Sequence, residues 1–372
     1  MNYTEQSLAC VAKRENNNKR KYLVVNPVQG KHVPVSGSAA LSMFDALAQK
    51  LCSAYGKDFD RTLLVGFAET ATAIGARLAV TLDSYYMQTT REVLENAEYL
   101  FFTESHSHAT EQKLCRNDID EIIKKIDRIV FVEDEVTTGN TIMKIVDIIE
   151  GMYPDTVKFA VASLLNGMDG ESMQRYKNKN IDVHYLVKTH HEGYTAIAEK
   201  YSGSGEYIAA DTTPADITPI NITDNYINTR RLCKGSDYEK ACEMLADKII
   251  STIPSDIGSA AVIGTEEFMY PAIYTAGRLE KAGVELVRTH STTRSPIAVS
   301  FDEGYPLQKR FELSSLYDSE RRTFIYNVQK YDCVIVITDS PRITDEGKAS
   351  LVHTLENSGN NNIYMFRWCD RD

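Results

Sequence analysis

Short apolar runs at 22–25, 62–65, 99–102, 129–132, 159–165 and 183–187 have the length and flanks of buried strands. Between them, residues 38–51, 70–80, 118–125 and 141–149 repeat apolar positions every three or four residues, as helices with one buried face do. Strands alternating with helices predict βαβ units and a mostly parallel sheet. In such sheets ligands sit beyond the carboxyl ends of the strands. The texture changes after His190. Residues 201–223 hold Ser-Gly-Ser-Gly, two prolines and several Thr and Asp, which reads as a connector with short extended pieces. Helical spacing resumes at 238–250, with Ala241, Met244, Leu245 and Ile249 on one face, and strands follow at 260–263, 286–288 and 333–337. The expected organisation is three consecutive pieces: an α/β domain at 20–200, a connector at 201–235 and a second α/β domain at 236–372.

The second half echoes the first. Leu64-Val65-Gly66 leads into a helix, as does Val262-Ile263-Gly264, and Thr89-Thr90-Arg91 returns as Thr292-Thr293-Arg294. The strand 129–132, with its acidic end, matches 334–337 followed by Thr338-Asp339. The offsets are nearly constant (66 to 264, 89 to 292, 129 to 334), so the second domain is expected to be a degenerate copy of the first.

Composition narrows the function classes. Acidic residues (52) outnumber basic ones (41), for a net charge of −11, which disfavours binding to a nucleic-acid backbone. There is no apolar run of about 18 residues to span a membrane, and residues 1–20 are polar, unlike a secretion signal. The seven cysteines are widely spaced without a C-x-x-C pair, which suits reduced thiols in a cytosolic protein better than zinc ligands or disulfides.

The stretch from Arg128 to Thr141 carries the most chemistry. A buried strand ends in Glu133 and Asp134, and a loop of Val136, Thr137, Thr138, Gly139, Asn140 and Thr141 leads into an amphipathic helix. Amides at a helix start, with the helix dipole, favour a phosphate. Gly139 permits close backbone approach, and the threonine hydroxyls add donors. The two carboxylates suit a sugar diol or a hydrated Mg²⁺. Phosphate at one end and vicinal hydroxyls at the other describe a ribose 5-phosphate.

This segment resembles the 5-phosphoribosyl 1-diphosphate (PRPP) motif of type I phosphoribosyltransferases: apolar strand, two acids, then Thr-Thr-Gly-x-Thr. The resemblance implies a type I phosphoribosyltransferase-like parallel sheet flanked by helices over 20–200. It implies catalytic roles for Glu133 and Asp134, and Mg²⁺ arriving with PRPP, with Asp134 a candidate ligand. Earlier in the chain, Gly66, Phe67, Ala68, Glu69 and Thr70 look like the loop that binds diphosphate through backbone amides. Glu69 is unusual for such a site. Arg91 occupies the place of a basic residue that neutralises the diphosphate. Residues 102–113 correspond to the loop that closes over PRPP and excludes water. There His106, and with it His108 and Lys113, would stabilise the departing diphosphate. Lys31 and His32, in the N-terminal region that receives the nucleophile in this family, are candidates for the acceptor side.

The second half, with Thr293-Arg294-Ser295-Pro296, resembles the TRSP domain found C-terminal to one branch of phosphoribosyltransferases. That branch lies in bacterial gene neighbourhoods linked to tellurite resistance and stress. Its Thr338-Asp339-Ser340-Pro341 departs from the PRPP pattern: one carboxylate remains, and Pro341 lacks a backbone donor. The basic set Arg288, His290, Arg294, Lys309, Arg310, Arg321 and Arg322 is expected to bind another anion or to cover the first domain's site.

The resemblance implies a cytoplasmic enzyme that ribosylates a small-molecule acceptor and releases diphosphate, in the biosynthesis of a nucleoside-like metabolite. Its partners would be PRPP, the acceptor and a second copy in a homodimer, without nucleic acid or membrane. The alternative is a PRPP-sensing regulator without turnover.

Overall fold

The computed structural model describes residues 2–15, 20–102 and 112–370. The chain divides into two compact units. One gathers Phe44–His190 with Ile227–Lys240; the other gathers Met1–Met43, His191–Tyr226 and Ala241–Asp372. They are called here the 44–190 unit and the 241–372 unit. Both are discontinuous, whereas periodicity alone suggested consecutive pieces. Two of the four boundaries, after Met43 and after Lys240, fall inside helices, Gly37–Tyr55 and Gly235–Thr252.

The 44–190 unit is built on a six-stranded sheet. From one edge its strands run Cys233–Lys234, Tyr85–Gln88, Thr62–Gly66, Arg128–Val136, Lys158–Asn166 and Asp182–Lys188. All neighbours are parallel except Cys233–Lys234, which pairs antiparallel with Tyr85–Gln88. That short strand lies in the stretch read as connector. It is tied in by Arg231, whose guanidinium makes two 2.8 Å hydrogen bonds to the buried Asp118.

The central strands form because their residues suit burial on both faces: every residue of Thr62–Gly66 is buried. The helix Asn140–Met152 buries Ile142, Met143, Ile145, Val146 and Ile149, the three-and-four spacing visible in the sequence. The helix Thr72–Leu82 is buried almost all round and uses small residues to come close to the sheet. A β-carbon on Gly75 would lie 2.9 Å from the Gly66 α-carbon, so this contact needs glycine.

The 241–372 unit has a five-stranded, all-parallel sheet in the order Ile220–Ile222, Ile363–Trp368, Cys333–Thr338, Ser259–Gly264 and Leu286–Ser291. Setting aside the edge strand Ile220–Ile222 and taking the first four remaining parallel strands of each unit in chain order as a, b, c and d, both sheets contain the order b-a-c-d. The repeat read from three short motifs is therefore a repeat of sheet topology, and a second α/β domain is present. An antiparallel hairpin follows strand b in each: Tyr99–Phe102 with Gln112–Cys115, and Lys309–Ser314 with Arg322–Tyr326. Among the described residues no helix is long and apolar enough to cross a membrane.

His290, on the Leu286–Ser291 strand, is 2% exposed, and burial lowers its pKa to about 4. The unfolded chain binds this proton near 6.5, so its contribution to stability is complete above that pH and is lost as pH falls toward 4. The loss reaches at most about 3 kcal/mol. Melting temperature against pH checks this: His290→Gln should flatten the acid limb between about pH 6.5 and 4, and a slope equal to wild type would count against it.

Candidate functional site

Three of the segments expected to carry chemistry leave one edge of one sheet. Gly66 is in register with Gln88 on one side and with Val132 on the other. All three strands are parallel, so the loop at 66–70, the turn at Thr89–Arg91 and the acidic segment from Glu133 emerge together at their carboxyl ends.

The strand Arg128–Val136 is longer than its apolar core. The apolar run ends at Val132, but the ladder with Lys158–Asn166 continues through Glu133, Glu135 and Val136. The acidic residues are thus held by strand geometry, and Val136, expected in the phosphate loop, is its last, buried residue. Glu133, Asp134 and Glu135 are half-buried. Burial, then the neighbouring charges of Asp134 and Glu135, push the Glu133 pKa well above the carboxylate range; the Arg91 guanidinium partly opposes this. Arg91 is therefore within electrostatic reach of Glu133, which sequence separation did not reveal.

The turn after the strand is held from outside. Gly139 has φ +70° and precedes the helix Asn140–Met152. Tyr176 donates its hydroxyl to the Gly139 carbonyl at 2.6 Å, and Arg175 donates to the Thr138 carbonyl at 2.7 Å. With these carbonyls engaged, Thr137 and Thr138 remain half-buried and exposed, respectively, at the helix start. Arg175 and Tyr176 carry no signal in the sequence. They lie on the helix Gly170–Asn178, one βα unit later, and no motif marks them.

The loop at 66–70 is more committed than its glycine suggested. The Phe67 amide donates to the Val132 carbonyl at 3.0 Å, and the Ala68 amide to Thr89 Oγ1 at 2.8 Å. Those two amides do not offer themselves to a ligand, contrary to the reading that all five residues would. Thr89 Oγ1 donates in turn to Gln112 Oε1 at 2.8 Å, and Gln112 Nε2 donates to the Ala68 carbonyl at 2.5 Å. Gln112 thus braces the loop, a role its place beside Lys113 did not signal. Glu69 is 7% exposed, and the Ala68–Glu69 peptide is cis.

Lys113 pairs through its backbone with Thr90 in both directions, at 2.8 and 3.0 Å, and its ammonium sits 5.4 Å from the Tyr99 ring centre. His106 and His108 lie outside the described residues. Lys31 and His32 are not in this unit at all. Both are buried in the 241–372 unit, where the Lys31 ammonium donates to the Glu266 and Thr292 carbonyls at 2.8 and 3.0 Å. His32 stands edge-on to Tyr326. Among the described residues no group of three or more His, Cys, Asp or Glu is placed to hold a metal ion. The donors suited to Mg²⁺ are the adjacent carboxylates of Glu133 and Asp134, whose crowding a cation would relieve.

The basic set of the second half does not form one surface. Arg294 and Arg321 pair with Glu266, Lys309 with Glu206, Arg310 with Glu15 and Arg322 with Glu312, while His290 is buried.

Residues 8–192 match a family model described as "Phosphoribosyl transferase", and residues 233–355 match one described as "TRSP domain C terminus to PRTase_2". A comparison with curated proteins gives no match. Among solved structures, the chain is similar to adenine phosphoribosyltransferase from Rhodothermus marinus, with 15% identity over 50% of this chain and 96% of that one, TM-score 0.34. It is similar to the Giardia lamblia adenine enzyme complexed with 9-deazaadenine, with 14% identity over 50% and 95%, TM-score 0.34. It is also similar to orotate phosphoribosyltransferase from Aeropyrum pernix, with 15% identity over 51% and 89%, TM-score 0.32.

Proposed function

The chain belongs to the phosphoribosyl transferase family that carries a C-terminal TRSP domain, and from that membership we propose that it transfers a phosphoribosyl group from PRPP to a small-molecule acceptor. The observation that carries this reading is the convergence of three segments at one sheet edge: the loop after Gly66, the turn to Arg91, and Glu133–Asp134 with the following turn.

In this reading the 5-phosphate of PRPP rests on the helix start at 137–141, where amides and threonine hydroxyls meet the helix dipole. The ribose hydroxyls face Glu133 and Asp134. The diphosphate lies toward Arg91 and the far part of the 66–70 loop, beyond the amides used by Val132 and Thr89. Mg²⁺, when bound with PRPP, neutralises diphosphate charge. Cleavage of the bond between the ribosyl carbon and diphosphate oxygen leaves positive charge on the sugar, and the acceptor's lone pair then forms the new bond. The Asp134 carboxylate, and that of Glu133 once it ionises, stabilise that charge, and Arg91 holds the leaving group. Lys113, fixed beside Thr90, borders the same turn.

Titration calorimetry with PRPP and Mg²⁺ tests the binding step, and saturable heat is expected. A second incubation, with PRPP and a metabolite extract, should release diphosphate and yield a ribose-phosphate adduct by mass spectrometry. Absence of PRPP heat would remove the reading. Binding without diphosphate release would move it to a sensor.

A further inference from the structure

The two units share more than strand order. In the 44–190 unit the Thr89 amide donates to the Gly66 carbonyl at 2.9 Å, and the Ala68 amide donates to Thr89 Oγ1 at 2.8 Å. In the 241–372 unit the Thr292 amide donates to the Gly264 carbonyl at 3.0 Å, and the Glu266 amide donates to Thr292 Oγ1 at 3.0 Å. The next residue of each turn, Thr90 or Thr293, pairs in both directions with the following hairpin, at Lys113 or Phe324. The same framework therefore places Ala68 and Glu266 at equivalent positions, and Arg91 and Arg294 one residue past equivalent threonines. This correspondence is one of framework and holds whatever the 44–190 unit binds.

The difference lies in what fills the space beside the arginine. At position 68 there is a methyl group. At position 266 there is a carboxylate, 2% exposed. Arg294 Nε donates to Glu266 Oε2 at 2.5 Å, Arg321 reaches the same oxygen at 3.0 Å, and the Ser315 hydroxyl donates to Oε1. Lys31 donates to the Glu266 carbonyl at 2.8 Å. Two guanidiniums and a hydroxyl converging on one carboxylate are the donor set of a small oxyanion. The Thr-Arg-Ser-Pro motif gains a physical meaning: Thr293 fastens the turn to the hairpin, Arg294 supplies the guanidinium, and the Ser295 carbonyl accepts the Tyr326 hydroxyl at 2.6 Å.

We propose that the 241–372 unit contains an oxyanion seat that Glu266 fills from within the chain, so that removing this carboxylate turns the TRSP segment into a binding site for inorganic phosphate. With Glu266 in place the unit takes no phosphorylated ligand at this position. Its cradle is closed by its own side chain, and its arginines are structural. Arg294 and Arg321 keep only slight exposure, 10% and 21% of their side chains, which is the route by which a small ion enters once the carboxylate is gone.

Calorimetric titration of inorganic phosphate into wild type, Glu266→Ala and Glu266→Ala/Arg294→Ala tests this. Glu266→Ala should bind phosphate at least about tenfold tighter than either other protein. All three carry the same 44–190 unit, so phosphate taken up there cancels, and failure of the PRPP reading leaves the comparison intact. A Glu266→Ala protein that is folded by circular dichroism, yet binds phosphate no better than the double variant, overturns the proposal. Should that variant be too unstable to titrate, melting of Glu266→Ser with and without phosphate replaces it. A larger rise in melting temperature than wild type shows supports the seat, and an equal or absent rise overturns it.

Discussion

Replacing Gly139 with alanine should weaken PRPP binding by about a hundredfold, or about 2.7 kcal/mol. Two effects act on the same atom. Gly139 sits at φ +70°, where an L side chain costs roughly 1 kcal/mol or more. The added β-carbon would also lie 2.3 Å from the Tyr176 hydroxyl oxygen and 2.6 Å from its ring. Tyr176 is fully buried and holds the Gly139 carbonyl, so the ring has no room to retreat. The turn must move instead, carrying with it the amides and hydroxyls proposed to hold the 5-phosphate. A displacement of about 1 Å in a positioning element is enough for a loss of this size. Calorimetry with PRPP and Mg²⁺ measures it, with melting temperature followed in parallel. An alanine variant that binds PRPP as wild type does would show that the turn is not the phosphate seat.

Asp134→Asn should lower turnover by at least about tenfold, or about 1.4 kcal/mol of barrier. The substitution keeps the shape of a half-buried side chain, so the fold is expected to remain. It removes one of two charges proposed to face the ribosyl centre as positive charge develops there. A second readout separates this from a structural defect. Asp134 is among the charges that push the Glu133 pKa up, so its removal lets Glu133 ionise at lower pH. The acid limb of the pH–rate profile should then move to lower pH. Diphosphate release with a working acceptor is the measurement, and unchanged turnover with an unmoved acid limb would reject the role.

The segments of the candidate site were legible because each is local. A strand, two acids and a Thr-Thr-Gly turn are contiguous, and the physics that joins them acts over a few residues. Less legible were the braces. Gln112 reaches the Ala68 carbonyl across 44 residues, and Tyr176 reaches Gly139 across 37. Neither belongs to a pattern of spacing, since what selects them is the surface they meet after folding. The end of the Arg128–Val136 strand was missed for a related reason. Its acidic residues argue against a strand locally, while pairing with Lys158–Asn166 holds them in one.

The N-terminal basic residues mark the limit most sharply. The family resemblance places Lys31 and His32 on the acceptor side. The Lys31 ammonium is instead bound to the Glu266 carbonyl, 235 residues away. The same holds for the basic residues of the second half, which look like one anion-attracting set: Arg294 and Arg321 share Glu266, while Lys309, Arg310 and Arg322 each pair with a different carboxylate.

Periodicity, turn residues and a contiguous motif were therefore enough to set the alternation of strands and helices, the repeat and the place of the acidic turn, because each depends on neighbours along the chain. Which charges stay available and which are consumed inside the protein was decided only by tertiary structure. An ion pair forms between groups that the fold brings within a few ångströms, and the amino-acid order carries no direct record of that distance.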